Sequence, residues 1–500
     1  MSDTEVRARG PELVFALVNP IGTPVDEVRR ELDGGLHAYG YEAEWVKLSD
    51  LLADHADRLG VGQVPMTPEH VRAERFMEIG DRLCEEADSS AAVALEAVNK
   101  IRIRRSEAAS LDPPGGVEDP PALYRHAFIL DSLKRPAEVR QLRQIYGDHL
   151  IVLSLQAGKQ VRERTLREKI SPYAVSMDAT ELNTKIDQLV RRDLDDKSKP
   201  HGQNILKTFP MGDVFVSVEN DATRQIHRLL DLLFGSPDYP VPTNEEFGMH
   251  MAYLASTRSP ELGLKVGAAI LHGETVISMG MNAHPTEPSN SPAFDSSLTD
   301  VRQLILDTLN QLGDSCLTES VRTALSENPD AVVDSLMTGR LKGSRIASLT
   351  EFQPTVHAEM AAILEVIKSG KSLEAGSVVY VTTFPCHGCT KHLLRLGLDV
   401  RYIEPYPKGR AQAMYGVDAV AAFQPFTGVA PRRYQLLFTA TEDRKDIWGA
   451  RKSWSATEKR EAEPNVDPMI DHIGISFREQ YALARLVSSQ SARASDSSLR

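Results

Sequence analysis

The sequence is poor in cysteine and tryptophan. Its 500 residues include only 4 cysteines and 3 tryptophans. A chain of this length buries a large core without disulfide bonds or metal ions. Scarce cysteine is typical of cytosolic proteins, in which a close cysteine pair more often binds a metal or carries redox chemistry than forms a structural disulfide. The composition therefore excludes a disulfide-rich secreted scaffold.

Long apolar runs are also missing. No stretch approaches the ~20 apolar residues that a membrane-spanning helix needs, and the first ten residues, MSDTEVRARG, lack the apolar segment of a signal peptide. With 41% hydrophobic and 25% charged residues, the chain has the composition of a globular protein. We expect a cytoplasmic protein that has no membrane partner.

Positive charge is in deficit. The chain has 57 Lys and Arg against 70 Asp and Glu, a formal net charge of −13. Proteins that track nucleic acid usually carry a basic surface, because contacts to phosphates supply most of their affinity. The charge balance disfavours that class, although a local basic groove remains compatible with it.

The first part of the chain alternates short apolar runs with helical stretches. The runs are Leu13–Val18, Ala127–Leu130, Leu150–Leu155 and Val214–Val218. Strands separated by helices need crossover connections, which build a parallel sheet. We therefore predict an α/β domain over residues 10–235, ending at the proline-rich stretch GSPDYPVP.

A second α/β domain is predicted over residues 243–480. It contains a polar, partly helical insertion at about 290–345, and the Ser-rich residues 488–500 are expected to form a disordered tail. Between them the pattern predicts a helix from about Thr355 to Ser369, a strand from Val378 to Thr382 and a helix from Cys386 to Leu396.

Two motifs fall on those helices: His357-Ala358-Glu359 and Pro385-Cys386-His387-Gly388-Cys389. An imidazole and two thiolates are good zinc ligands and leave a fourth tetrahedral position open, and cysteines at i and i+3 share one helix face. H-x-E followed by P-C-x-x-C is the signature of zinc-dependent nucleobase deaminases. We predict that His357, Cys386 and Cys389 bind Zn²⁺ and that Glu359 is the catalytic acid and base. The alternative is a closed structural zinc site whose fourth ligand is His387 or His392.

These residues make the C-terminal half resemble a deoxycytidylate deaminase of the cytidine deaminase superfamily. Further similar segments are Thr257-Arg258-Ser259-Pro260, Lys265-Val266-Gly267-Ala268 and Gly280-Met281-Asn282. The resemblance implies an α/β/α cytidine-deaminase-like domain, a sugar contact by Asn282 and a base contact by the backbone of Ala358. The family usually has glycine after the asparagine, where this chain has Ala283.

The whole chain resembles the two-domain bacterial anti-phage dCTP deaminases. The similar segments include AFILDSLKR at 127–135, Gly202-Gln203-Asn204 and Asp213-Val214-Phe215-Val216. This resemblance implies an N-terminal domain like that of P-loop kinases, and deamination of dCTP or dCMP that depletes the nucleotide pool in antiviral defence. It also implies a homo-oligomer, and a small inhibitory RNA as in some relatives, for which the composition gives no signal.

The first loop departs from a working P-loop, which needs G-x-x-x-x-G-K-[ST]. After Val18 the chain offers Gly22 and Thr23, and no lysine occurs before Lys47. Phosphoryl transfer is therefore disfavoured. A loop that leads into a helix can still bind a nucleotide, so Gly22, Thr23 and the strand-end Asp131 are the candidate nucleotide-binding residues of this domain.

Two other functions use the same motifs. A deaminase that edits RNA or single-stranded DNA needs a basic channel and stacking aromatic side chains, against which the net charge and the 6% aromatic content argue. A non-catalytic interaction protein could keep the zinc for stability alone, but such a site has no use for Glu359.

Overall fold

The structure is a computed structural model. It describes residues 10–65, 67–109, 121–173, 177–196, 199–238, 241–285, 296–312, 316–341, 344, 346, 354–404, 411–416, 422–439, 444–466 and 472–497. The chain forms two compact units. The first comprises Met1–Glu246, Glu404–Tyr406 and Thr427–Arg500, and the second comprises Phe247–Ile403 and Pro407–Phe426.

Strands and helices alternate along the N-terminal part of the first unit. They are β1 (Leu13–Val18), α1 (Asp26–Ala38), β2 (Glu42–Lys47), α2 (Leu48–Ala53), α3 (Glu69–Glu86), α4 (Ala92–Ala108), β3 (His126–Asp131), α5 (Pro136–Tyr146), β4 (Leu150–Gln156), α6 (Lys159–Ile170), α7 (Ala179–Asp195), α8 (Ile205–Thr208), β5 (Val214–Ser217), α9 (Ala222–Leu233) and α10 (Asn244–Thr257). The boundary between the two units falls within α10, between Glu246 and Phe247.

The first unit is built on a six-stranded sheet of order β11-β5-β4-β1-β3-β2, in which the edge strand β11 is Gly428–Val429. The strands β1 to β5 pair in parallel. All residues of β1 and β4 are buried, as expected of central strands covered on both faces. In α1, the buried Val28, Leu32 and Leu36 recur every four residues and form one apolar face. The predicted α/β class is confirmed for this part of the chain.

The second unit contains a separate five-stranded sheet of order β10-β9-β8-β6-β7. Its elements are β6 (Gly267–His272), β7 (Thr275–Met281), α11 (Ser296–Leu312), α12 (Glu319–Glu327), α13 (Pro329–Thr338), α14 (Ala358–Lys368), β8 (Val378–Val381), α15 (His387–Leu396), β9 (Asp399–Tyr402), α16 (Ala411–Tyr415) and β10 (Phe423–Pro425). The hairpin β6–β7 is antiparallel, whereas β8, β9 and β10 are parallel.

The predicted insertion at 290–345 contains α11, α12 and α13. The side chains of Val301, Ile305 and Val333 are buried together in a small core of their own. The described residues of this segment are therefore largely helical, in line with the predicted partly helical insertion, and their buried apolar residues form a cluster distinct from that of the five-stranded sheet.

The end of the chain differs from the predicted domain boundary at residue 480. Residues from Thr427 onward return to the first unit, where they form β11 (Gly428–Val429), α17 (Pro431–Phe438), α18 (Ala456–Glu461) and α19 (His472–Ser497). The strand β11 pairs antiparallel with β5, and its Val429 N–H donates to the fully buried Glu246 carboxylate at 2.8 Å. Because these contacts are long-range, the local sequence pattern does not reveal them.

The predicted disordered tail also differs from the structure. Residues 488–497 continue the helix α19, and residues 498–500 lie outside the described residues. None of the helices in the described residues combines the length and the apolar character that crossing a bilayer requires.

Candidate metal centre and active site

The segment before α14 positions His357 and Glu359. Val356 and Ala283 form two backbone hydrogen bonds, at 3.0 and 3.2 Å, which fix the chain just ahead of His357. The helix then begins at Ala358, with His357 as its extended N-cap residue. Ala358 and Glu359 are both buried, with exposed fractions of 0% and 3%.

A glycine lets α14 approach the sheet closely. A Cβ atom added to Gly280 on β7 would lie 2.3 Å from the Ala362 nitrogen and 2.4 Å from the Ala358 carbonyl oxygen. No side chain fits at that distance, so glycine is required at this position. The resemblance of Gly280-Met281-Asn282 to a family motif thus has a packing reason, because Gly280 sets the depth of the helix that carries Glu359.

The two cysteines lie at the start of α15. Cys386 is the N-cap residue, and its Sγ accepts a hydrogen bond from the Cys389 N–H at 3.4 Å. Their i, i+3 spacing directs both sulfur atoms to one side of the first helical turn.

The three predicted ligands converge. His357 Nδ1 lies 3.3 Å from Cys386 Sγ and 3.5 Å from Cys389 Sγ, and the three ligand atoms all lie within 4.8 Å of one another. Zn–S bonds of about 2.3 Å and Zn–N bonds of about 2.0 Å around a tetrahedral ion give separations of roughly this size. The donor set and its spacing therefore fit a zinc ion.

The group has three members in the described part of the chain. Neither His387 nor His392 belongs to it. Three protein ligands are typical of a catalytic zinc site, whereas a structural site usually has four. The geometry thus disfavours the closed structural site that the sequence left open.

The electrostatics of the group favour thiolate. A hydrogen bond with Cys389, opposed by burial and assisted by His357, lowers the pKa of Cys386 to about 4. The same hydrogen bond and burial raise the pKa of Cys389. Cys386 therefore becomes a thiolate readily, whereas Cys389 loses its proton when a metal cation binds. The hydrogen bond with Cys386 raises the pKa of His357.

Glu359 is a buried carboxyl beside this group. Burial raises the pKa of Glu359, and the negative charge of Cys386 raises it further. A carboxyl whose pKa is raised exchanges protons more easily near neutral pH, as a catalytic acid and base must.

Asn282 lies at the end of β7 with its side chain engaged in a loop. Its Oδ1 accepts the Val266 N–H at 2.7 Å and lies 2.8 Å from Ser259 Oγ, and its Nδ2 donates to the Leu264 carbonyl at 2.9 Å. In this structure Asn282 organises the loop of residues 259–266. Its predicted sugar contact remains a prediction, as does the base contact of Ala358.

Sequence reasoning missed a carboxylate near His357. Thr355 Oγ1 donates to Glu261 Oε1 at 3.0 Å, although 94 positions separate the two residues. A pairing over that separation leaves no local signal in one sequence.

The N-terminal candidates lie at the C-terminal edge of the six-stranded sheet of the first unit. Gly22 has φ +83°, and an added Cβ would lie 2.6 Å from the Arg162 carbonyl oxygen. Thr23 is buried, and its hydroxyl donates to the Pro20 carbonyl at 2.8 Å. The backbone conformation and close packing thus favour glycine at position 22, and the hydrogen bond within the loop favours a hydroxyl at position 23.

A buried carboxylate from helix α7 contacts the same loop. Asp193 accepts the Ile21 N–H at 2.8 Å and lies 2.9 Å from Lys134 Nζ, and Lys134 also donates to the Asn19 carbonyl at 2.7 Å. An internal anion thus bonds to one of the loop amides that a phosphate would need. That the loop does not transfer phosphoryl groups remains a prediction.

Asp131 ends β3, one strand away from that loop. Its carboxylate lies 3.7 Å from Arg29, and burial raises its pKa. The structure brings Gly22 and Thr23 together on one loop and Asp131 to the same sheet edge, and nucleotide binding by the three remains a prediction.

Comparison with known proteins identifies similarity in the C-terminal part of the chain. Residues 242–403 match the family described as the cytidine and deoxycytidylate deaminase zinc-binding region. The chain is 28% identical over 167 residues to the deoxycytidylate deaminase of Enterobacteria phage T2, covering 32% of this chain and 80% of that protein. It is 29% identical over 163 residues to the deoxycytidylate deaminase of Enterobacteria phage T4, covering 32% and 78%.

Two solved structures are also similar. Both are of a dCMP deaminase from cyanophage S-TIM5, one in apo form and one in complex with dCMP and dUMP. The apo structure is 21% identical, with 33% of this chain and 84% of that chain covered and a TM-score of 0.18. For the complex the identity is 20%, the coverage 37% and 97%, and the TM-score 0.22. The family match and the two phage relatives indicate that the C-terminal part of the chain contains a domain similar to deoxycytidylate deaminases.

Proposed function

We propose that the second unit deaminates deoxycytidine nucleotides by hydrolysis, giving deoxyuridine nucleotides and ammonia. The observation that carries the proposal is the convergence of His357, Cys386 and Cys389 next to the buried Glu359. The family match over residues 242–403 supports it, since that family is named for its zinc-binding region and for cytidine and deoxycytidylate deamination.

The residues present suit a zinc ion held by His357, Cys386 and Cys389. Zinc bound there would lower the pKa of a water molecule and supply a nucleophile at neutral pH. The two thiolates cancel the formal charge of the ion, so a protein base has to assist. Glu359 is the nearby carboxyl that serves this purpose.

Glu359 moves the protons of the reaction. It accepts a proton from the attacking water and delivers it to N3 of the cytosine ring, which makes C4 electrophilic. After the C–O bond has formed at C4, Glu359 passes the second water proton to the amino group, the C4–N bond breaks and ammonia leaves. The carboxylate is regenerated and the ring carries the new carbonyl, so atoms and charge balance.

The substrate is proposed to be a deoxynucleotide, dCMP or dCTP, with Asn282 at the sugar and the backbone of Ala358 at the base. In this proposal the reaction depletes the deoxycytidine nucleotide pool in defence against phage. The chain works as a cytoplasmic homo-oligomer under the control of a small RNA, and the first unit senses a nucleotide or serves as a scaffold.

A substrate panel tests the proposal. Purified protein is incubated with dCMP, dCDP, dCTP, the corresponding ribonucleotides and a cytosine-containing oligonucleotide, and released ammonia is measured. We expect ammonia from a free deoxycytidine nucleotide and none from the oligonucleotide. Ammonia from the oligonucleotide alone would establish an editing deaminase instead.

A further inference from the structure

The first unit contains a cavity of about 290 Å³, formed by α4, α5, α19 and the turn that joins α3 to α4. Its volume is at the lower end of the range of about 300–1,000 Å³ that is usual for small-molecule sites. Part of its lining is apolar and comes from the buried side chains of Leu95, Ile145, Ala482 and Leu486. The cavity therefore offers an apolar surface on which a flat ring can pack.

An arginine with unused hydrogen-bond donors lines this cavity. Arg478 of α19 is half-buried, and its Nε donates to the Gly474 carbonyl at 3.0 Å. Among the described residues, no carboxylate pairs with its guanidinium and no acceptor bonds to its two terminal nitrogen atoms. The adjacent carboxylate of Glu479 pairs with Arg102 and Arg105 instead. A guanidinium in this situation is a good partner for a phosphate group, which it binds with two parallel hydrogen bonds.

Two glutamine side chains of α5 line the same cavity. Gln141 and Gln144 are three positions apart and therefore share one face of the helix. Within the described part of the chain, neither side-chain amide has a hydrogen-bond partner. A glutamine amide presents a donor and an acceptor side by side, a pattern that is complementary to N6 and N7 of adenine. The two side chains thus suit recognition of the edge of an adenine ring.

An aromatic ring and a carboxylate also line the cavity. Tyr481 is 59% exposed, and the guanidinium carbon of Arg485 lies 5.8 Å from the centroid of its ring. Nucleobases stack on tyrosine rings and on guanidinium planes. Asp88 of the α3–α4 turn has its carboxylate 3.8 Å from His201 Nε2. A carboxylate at a nucleotide site can accept hydrogen bonds from the ribose hydroxyl groups.

We propose that this cavity binds adenosine 5′-phosphate, either as free AMP or as part of a larger adenine nucleotide. Arg478 binds the phosphate, and Gln141 with Gln144 binds the edge of the adenine ring. The ring packs on the apolar lining near Tyr481, and Asp88 accepts hydrogen bonds from the ribose. Each chemical group of the ligand thus has a matching side chain in one cavity.

The site is additional to the functions proposed above. Gly22, Thr23 and Asp131, the nucleotide-binding candidates at the sheet edge, do not line this cavity. The site also uses no residue of the metal group. A failure of the deamination proposal would therefore leave a measurement of AMP binding readable, because that measurement needs no turnover.

Equilibrium dialysis of the full-length protein with radiolabelled AMP tests the proposal. We expect saturable binding, and Arg478→Gln should weaken it roughly 10- to 100-fold, because charge-assisted hydrogen bonds to the phosphate are lost. Adenosine lacks the phosphate, so its affinity should be the same in Arg478→Gln and in the original protein. Arg140→Gln is the matched control and should retain the affinity for AMP, since Arg140 is an exposed residue of α5 that does not line the cavity.

A second variant tests the contact with the base. Gln141→Leu removes the amide at similar side-chain size and should weaken the binding of AMP and of adenosine alike, by roughly 3- to 10-fold. Circular dichroism checks the folding of each variant. If Arg478→Gln does not fold, Gln141→Leu decides the question. Repeating the dialysis with ATP shows whether the free monophosphate or the larger nucleotide binds more tightly, and either result supports the site.

Three outcomes would overturn the inference. One is the absence of saturable binding of AMP and ATP up to about 1 mM. Another is an unchanged AMP affinity in Arg478→Gln, which would place the bound nucleotide elsewhere in the protein. The third is an equal loss of affinity in Arg140→Gln, which would reveal a general effect of charge and not a contact in the cavity.

Discussion

At the scale of single residues, burial raises the pKa of two acidic side chains, Glu359 and Asp131. Glu359 is buried beside two thiols and a histidine, and its pKa is raised. Asp131 is half-buried, and its carboxylate lies 3.7 Å from Arg29. A carboxylate kept in a position that raises its pKa costs stability, and such residues are often retained for function.

Asp131 gives a prediction with a definite pH dependence. Burial raises its pKa in the folded state, so the folded protein binds this proton more tightly than the unfolded chain, and stability falls as pH rises through that interval. Asp131→Asn cannot ionise. We expect it to raise the melting temperature at pH 7 and to lose this advantage below the ordinary aspartate pKa of about 3.9. A lower melting temperature of the variant at pH 7 would show that the contact with Arg29 outweighs desolvation.

At the scale of elements, the close packing of α14 on β7 determines where the catalytic residues lie. The contact depends on Gly280, whose added Cβ would overlap the Ala362 nitrogen and the Ala358 carbonyl oxygen. The atoms in the way belong to the helix backbone, which cannot rotate aside as a side chain can. Displacement of the helix would carry His357 and Glu359 with it.

Gly280→Ala should therefore harm both stability and activity. Overpacking of this kind costs about 1–3 kcal/mol, and we expect a loss of that size in urea unfolding together with weaker zinc binding. Gly34→Ala is the control, since Gly34 is inside α1 and nothing lies within 4 Å of its added Cβ. That variant should gain about 0.5–1 kcal/mol from helix propensity. Equal effects of the two substitutions would contradict the packing argument.

At the scale of the whole molecule, the C-terminal helix α19 is part of the first unit. Arg105, 1% exposed, lies 2.6 Å from Glu12 and 2.7 Å from Glu479. Arg105 of α4 thus connects Glu12, which directly precedes β1, with Glu479 of α19. The Arg105 side chain has almost no access to water. Residues far apart in the sequence, Glu12 and Glu479, therefore share one buried ion group in the first unit.

Glu479→Ala should destabilise the protein strongly. Removing one partner of a buried ion pair costs about 3–5 kcal/mol when the remaining charge is left unpaired. Arg105 keeps Glu12 in this variant, so we expect a loss at the lower end of that range, about 3 kcal/mol, in denaturant unfolding of the first unit. Glu168→Ala, at an exposed position of α6, should stay within about 0.5 kcal/mol. A neutral Glu479→Ala would mean that α19 is dispensable for that unit.

The sequence predicted the local features of the fold and of the site. The apolar run at Leu13–Val18 and the helix carrying His357 and Glu359 lie close to where periodicity and motifs predicted them. Each depends on residues within a few positions of one another. The return of Thr427–Arg500 to the first unit was not predicted, because it depends on pairs such as Arg105 with Glu479, 374 positions apart. The contact of Thr355 with Glu261 was not predicted either, because 94 positions separate the two residues.

The measurement that tests the central claim most directly combines metal analysis with ammonia release in Glu359→Gln. We expect one zinc per chain in both the original protein and the variant, because Glu359 is not a ligand. We expect the original protein to deaminate a deoxycytidine nucleotide and the variant to do so at a rate at least 10²-fold lower, as is typical when a general acid and base is removed. A variant that has lost its zinc, or one that deaminates at the original rate, would contradict the account.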